Sequence, residues 1–125
     1  MAKQIINIAG VPASPYCSQA VKAGSNIYLS GIVGMDSKTG QLAGPSIQDQ
    51  TRQSIENCRN ILLAAGASLD DVVEVQVLLI HPGDFAGMNE EYLKHFPVNP
   101  PARSVSKLGV EIPGLLVSIK MTACP

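Results

Sequence analysis

With 125 residues the chain has the size of one domain, residues 1–125, which needs neither disulfides nor metal to fold. Its formal charge of −1, with 15% charged residues and no basic run, lacks the footprint of a nucleic-acid-binding protein. A 46% hydrophobic content beside so little charge points to surface buried between subunits, and no apolar run reaches the roughly 20 residues of a membrane span.

The opening MAKQIINIAG has one lysine and no long apolar segment, so it does not read as a secretory signal. A reducing, cytoplasmic setting is the expectation. Cys17, Cys58 and Cys124 lie far apart without metal-ligand spacing and are expected as buried free thiols.

Short strands are expected near residues 3–7 and 17–22, as a hairpin or meander. IYLSGIV (27–33) alternates as one strand, with Ile27, Leu29, Gly31 and Val33 on one face and Tyr28, Ser30 and Ile32 on the other. GMDSKTG looks glycine-rich, yet Asp36, Lys38 and Gly40 suit a hairpin turn better than a phosphate loop. From Ser46 the period becomes helical. Ser46 and Asp49 resemble a capping box, Thr51, Ile55, Cys58, Leu62 and Ala65 form one stripe, and Gly66 supplies the stop.

Residues 72–80 read as a strand with Val73, Val75, Val77 and Leu79 on one side, Glu74 and Gln76 on the other. GDFAGMNEEYLKHFP reads as a second helix, capped by Asp84, with a Phe85, Met88 and Tyr92 stripe and Pro97 at its end. His81 reads as a turn residue and His95 as a helix-end polar group. The last strand, 115–123, points Leu115, Val117, Ile119, Met121 and Ala123 inward, leaving Leu116, Ser118, Lys120 and Thr122 outward.

The order β-β-β-α-β-α-β-β predicts an α+β fold, a sheet with both helices on one face. Leu78, Ile80 and Leu116 then share the other face with Ser118 and Lys120, and no third layer remains to cover them. Such a face is normally hidden against another subunit.

NPPARSVSK (99–107) carries the first chemical signal. Proline fixes its own φ and biases the preceding residue toward extended conformations, so Asn99, Pro100 and Pro101 deliver Ala102 and Arg103 extended and restrained. A restrained guanidinium suits a planar, bidentate acceptor such as a carboxylate. The alternative is a strand-edge arginine in a surface ion pair.

SPYCSQAV, LSGIVGMDSKTGQL, QSIENCRNILLAAGASLDDVVEVQVLL, DFAGMNEEYLKHF and PPARSV follow one another across about residues 3–123. Together they resemble the Rid family (reactive intermediate deaminases, also called YjgF-like or L-PSP proteins). PPARS after FAGMNEEY is the most specific element. The resemblance implies a chorismate-mutase-like fold and a homotrimer with clefts at the subunit interfaces. It also implies hydrolysis of 2-imino acids to 2-oxo acids and ammonia, with no cofactor and no metal. By the same resemblance Arg103 grips the substrate carboxylate and Tyr16 lines the cleft. Ser30 and Gly31 match a strand-end pair, and Asn89 matches an asparagine of the second helix. The plainer alternatives are a packed aromatic for Tyr16, a satisfied hydroxyl for Ser30, a surface amide for Asn89 and a close backbone approach for Gly31.

Two positions depart from the family pattern. Val105 stands where deaminating members carry a cysteine, used mainly through its backbone. Lys120 stands, in this alignment, where they carry a glutamate that positions or activates water. An ordinary lysine is a cation and a poor base. Burial beside Arg103 would make Lys120 an acid–base group or a Schiff-base amine. Two cations in one cleft would instead favour a ligand with two negative groups. Alternatively, Lys120 snorkels out or pairs with Glu111 or Glu74. The expectation is therefore an imine deaminase, with a non-catalytic, small-carboxylate-binding trimer or a retuned hydrolase as the alternative. A ribonuclease or translation inhibitor fits less well, given near-neutral charge and few stacking aromatics.

Overall fold

A computed structural model describes residues 2–8 and 14–125 of the chain. Met1 and residues 9–13 lie outside the described residues, and Met1, Ala9 and Gly10 among them belong to the stretch read above for a secretory signal. The strands are β1 (Gln4–Ile6), β2 (Ala20–Ala23), β3 (Asn26–Leu29), β4 (Ile32–Val33), β5 (Val72–Leu79), β6 (Ala102–Lys107) and β7 (Val117–Ala123). The helices are α1 (Ile47–Ala64) and α2 (Phe85–His95). The sheet runs β1-β2-β3-β7-β5-β6, and β4 also pairs with β7. Only β5 and β6 are parallel, with α2 as their crossover. This is the expected α+β class, a mixed sheet with two helices.

The core lies between helices and sheet. Ile55, Cys58 and Leu62 of α1 and Met88 and Tyr92 of α2 meet Val75, Val77, Val117, Ile119 and Met121. The helical stripe read in α1 is buried throughout. Ser46 Oγ accepts from the Asp49 N–H at 3.0 Å, but the Asp49 carboxylate turns to Arg52 instead of closing a capping box. Gly66, at φ +85°, ends the helix in the left-handed region. Asp36 accepts from the Lys38 N–H, and Met35 bridges to Leu42, which makes GMDSKTG the expected hairpin turn.

The structure revises five local expectations. Residues 27–33 form two strands, because Ser30 gives its N–H to Gln19 O (2.9 Å) and its hydroxyl to Ser18 O (2.6 Å). Between the pairs Ile27↔Ala123 and Ile32↔Ile119, the first chain holds one residue more than β7, which is a bulge. The alternation therefore flips: Ile32 packs on the core, while Gly31 is exposed. A second register shift, between Val72 and Glu74, buries Val72 and leaves Val73 50% exposed. Phe85 is 46% exposed, and Asp84 makes no side-chain cap; a tight turn, Pro82–Asp84, leads into α2 instead. Cys17 and Cys124 are exposed, so only Cys58 is a buried thiol, and burial pushes its pKa strongly upward. Asn99 has φ +47°, in the left-handed region that asparagine tolerates, rather than an extended conformation.

A buried polar row on α1 escapes the apolar pattern. Gln50 donates to Gly44 O (2.9 Å) and Gly114 O (2.8 Å) and accepts from the Leu116 N–H (2.9 Å). Ser54 donates to Ile32 O at 2.7 Å, and Asn57 donates to Val33 O and Met35 O. These bonds tether the two-residue β4 to the helix. Gly34 lies so close beneath α1 that an added Cβ would collide with the Gln50 backbone. A second polar node joins the helices: Glu91, 2% exposed, accepts from Arg52 (3.2 Å), Lys94 (3.4 Å) and His95 (3.0 Å).

Two stability predictions arise here. Gly34→Ala is expected to cost about 1–3 kcal/mol in chemical denaturation, because backbone rather than a flexible side chain must move; an unchanged midpoint would refute the close approach. For Glu91, burial pushes the carboxyl pKa up, but the bonds from His95, Arg52 and Lys94 more than offset it and hold the pKa below the usual range. A carboxylate depressed in the folded state stabilises above its unfolded pKa, roughly 4.3, and loses that contribution as pH falls through its lower folded value. Thermal melts of Glu91→Gln should therefore be less stable than wild type at neutral pH and flatter on the acid side. Parallel curves would remove Glu91 from the acid response.

Candidate functional site

The residues singled out in the sequence fall into two groups. The first is built on β6 and α2. In register Arg103 sits beside Val75 and Val105 beside Val77, so both point to the helix face of the sheet. The Arg103 Nη1 donates to Asn89 Oδ1 at 2.7 Å and lies 4.0 Å from Met88 Sδ. Its guanidinium carbon is 4.7 Å from the Tyr92 ring centroid and 5.9 Å from that of Phe85. These distances are within cation–π range.

Among the described residues no carboxylate pairs with Arg103, so the expected alternative of a surface ion pair does not occur. Asn89 is thereby more than a surface amide, because it orients the cation. Tyr92 and Phe85, which the sequence marked only as a helix stripe, provide flanking rings. The Tyr92 hydroxyl is buried without a partner; burial pushes its pKa up and the charge of Arg103 offsets part of that rise. A neutral phenol suits a platform for a cation better than a base. Val105 is half-buried against the core on the same edge strand.

The second group lies on the opposite face. Tyr16, Ser30, Gly31 and Lys120 line one cavity of about 760 Å³, joined by Lys3, Cys17 and Tyr28. Tyr16 is 94% exposed and so is not a packed aromatic within the protomer. The Ser30 hydroxyl is spent on Ser18 O, so what Ser30 contributes is the bend it imposes. A Cβ on Gly31 would sit 2.9 Å from Ser118 Oγ: the close approach is by a side chain, not a backbone. Ser118 is itself buried. The sequence marked it only as an outward-facing strand residue, and the bulge that brings it to Gly31 leaves no mark in the alternation.

Lys120 pairs in register with Gln76, on the outward side, whereas Arg103 pairs with Val75, on the inward side. In one protomer the two cations therefore occupy opposite faces. Lys120 makes no ion pair with Glu74 or Glu111 among the described residues, although Glu74 lines a smaller hollow of about 260 Å³ on its other side. Both histidines keep their expected places, His81 before the turn into α2 and His95 bonded to Glu91. No cluster among the described residues could hold a metal ion. Nor is any helix long and apolar enough to cross a membrane. Chemically, the first group can grip an anion, and the second offers an open, cationic, hydroxyl-bearing wall.

Comparison with known proteins places this geometry in context. The family model for Endoribonuclease L-PSP matches residues 8–124. A RutC family protein of Pyrococcus horikoshii is 46% identical over 104 residues, 81% of this chain and 82% of its own. The 2-iminobutanoate/2-iminopropanoate deaminase of Homo sapiens is 36% identical, over 97% of this chain and 89% of its own. The crystal structure of E. coli TdcF with bound serine matches with a TM-score of 0.88 at 30% identity, over 98% of each chain. With sequence, fold and family model in agreement over nearly its whole length, this chain belongs to the L-PSP family, the Rid or YjgF-like proteins.

Proposed function

We propose that the protein is a 2-imino acid deaminase, converting imines such as 2-iminobutanoate or 2-iminopropanoate to the 2-oxo acid and ammonia. The observation that carries this reading is the Arg103 guanidinium, fixed by Asn89 and flanked by rings, with no carboxylate partner among the described residues. A small ligand carboxylate is the bidentate acceptor it lacks. The name of the human relative and the serine bound in TdcF support a small amino-acid-like ligand.

The working assembly is a homotrimer with shared clefts. Arg103, Asn89 and Val105 of one copy face Tyr16, Ser30, Gly31 and Lys120 of the next, because one protomer holds the two groups on opposite faces. The outward face, with Leu78, Ile80 and Leu116 only half-buried, gives such an assembly apolar surface to hide. Unpaired thiols fit a reducing, cytoplasmic setting.

In the reaction Arg103 holds the carboxylate and so fixes the C=N carbon toward the cavity. Water adds to that carbon: a C–O bond forms, the π pair moves to nitrogen, and the water's proton follows it. The carbinolamine then loses its hydroxyl proton to the amine, the C–N bond breaks with its pair on nitrogen, and ammonia leaves. Imines hydrolyse in water unaided, so the chain accelerates the step by orientation and proton placement. RNA cleavage by a histidine pair does not fit, since His95 is committed to Glu91 and His81 stands exposed in a separate turn.

One observation favours a second reading, a trimer that binds small carboxylates without turning them over. Among the described residues neither carboxylate nor histidine lines the 760 Å³ cavity, so water meets no base from them there. A single assay separates the two. 2-Iminobutanoate is generated in place by a threonine dehydratase, and oxo-acid appearance is followed with and without the protein. Wild type is expected to accelerate the reaction, Arg103→Ala to lose on the order of 100-fold or more, and Arg103→Lys to recover little, because an ammonium cannot form the fork. Inactive wild type that still binds the oxo acid through Arg103 would establish the second reading. The shared cleft has its own test: assemblies mixing Arg103→Ala with Tyr16→Ala should regain activity that neither variant shows alone. No regain would place the site within a single protomer.

A further inference from the structure

We infer that the site selects imines bearing a second anionic group beyond the carboxylate held by Arg103, with Lys3 and Lys120 as the selecting residues. This deepens the deaminase reading and rests on Arg103 as the carboxylate clamp.

The sheet register places the two lysines. Ile5 pairs with Val21, Val21 with Tyr28, and Tyr28 with Thr122, forming one outward row across β1, β2, β3 and β7. Lys3 and Lys120 each lie two residues from a member of that row, so both belong to the outward face. They stand at opposite corners of the cavity, three strand spacings apart across the sheet, roughly 14 Å, and about four residues apart along it, roughly 13 Å, because Lys3 and Lys120 flank the row on opposite sides. Val21 and Tyr28 lie between them in the lining. Both lysines can reach inward on long stems.

The cavity's charge is one-sided. Among the described residues its lining contains these two ammonium groups and no aspartate or glutamate. Neither lysine forms an ion pair among the described residues. Glu74 shares the neighbouring hollow with Lys120, on the β5 side of it, and is absent from the cavity lining among the described residues. Two cations without a direct ion pair, facing one space, raise the local concentration of anions and penalise cationic ligands. At about 760 Å³ the cavity leaves room for a group beyond the carboxylate and the imine carbon. In the shared cleft proposed above, a ligand anchored by one carboxylate at Arg103 of one copy would extend its other end across this wall of the next. A second carboxylate there would meet Lys120 or Lys3 and lie in the field of the other, whereas an alkyl end would leave both ammonium groups unanswered.

The test compares two imines of equal carbon count. 2-Iminobutanoate comes from a threonine dehydratase and 2-iminosuccinate from an aspartate oxidase; each is followed to its oxo acid with wild type, Lys3→Met and Lys120→Met. Wild type is expected to prefer the diacid on the order of ten-fold in kcat/KM, and each substitution to lower that preference, mainly through KM. Lys3→Arg should keep it. Equal rates on both imines, with the ratio unmoved by either substitution, would overturn the inference and leave the deaminase reading intact. If neither imine is accelerated, the deaminase reading falls. Calorimetry with succinate against butyrate then decides the inference: tighter succinate binding lost in both lysine variants supports it, and equal affinities overturn it.

Discussion

Ser30 sends its N–H and its hydroxyl toward residues 18 and 19 rather than to β7, and much of the candidate site depends on that choice. The diversion inserts one residue into the pairing with β7. Gly31 is thereby exposed on the cavity wall, Ser118 is drawn against it, and Ile32 is returned to the core. A two-residue strand after such a break would hold poorly on ladder bonds alone. The Ser54 and Asn57 bonds from α1 supply the rest, and Gln50 ties the approach to β7 to the same helix. The cavity rim is thus referenced to the most deeply packed helix rather than to a loop.

The cationic half of the site is held by other means. β6 is a sheet edge, where a long side chain would ordinarily sample many rotamers. Here Asn89 fixes one Nη, and the Tyr92 and Phe85 rings limit where the plane can turn. Both constraints come from α2, the crossover between β5 and β6, so the chain that delivers the arginine also builds its cradle. Glu91 on the same helix fastens α2 to α1 through Arg52. The two halves of the site are therefore coupled through one helix pair, although they open on opposite faces of the sheet.

The fold was largely legible in the sequence because its strongest signals are periodic. The stripe from Thr51 to Ala65, the inward set of β7 and the Ser46 cap all act locally, and burial matches them. Two one-residue register shifts were not legible: alternation carries no mark of an extra residue until a partner strand counts against it, and so Val33 and Val73 were read onto the wrong face. Buried polar groups were equally silent. Gln50 looks like any helix-surface amide until the carbonyls of Gly44 and Gly114, far apart in sequence, converge on it. At the site, Arg103 announced itself through the prolines before it, whereas Lys3, Tyr28 and Ser118 gain meaning only from the sheet register.

The thiols give the molecule an internal gauge of its own opening. Cys58 is fully enclosed between α1 and β7, its sulfur 3.8 Å from Ile119 O, while Cys17 and Cys124 face solvent. An alkylating reagent would meet two of these sulfurs at once and the third only after α1 lifts from the sheet, so the lag of that third adduct clocks the rarest excursions of the core.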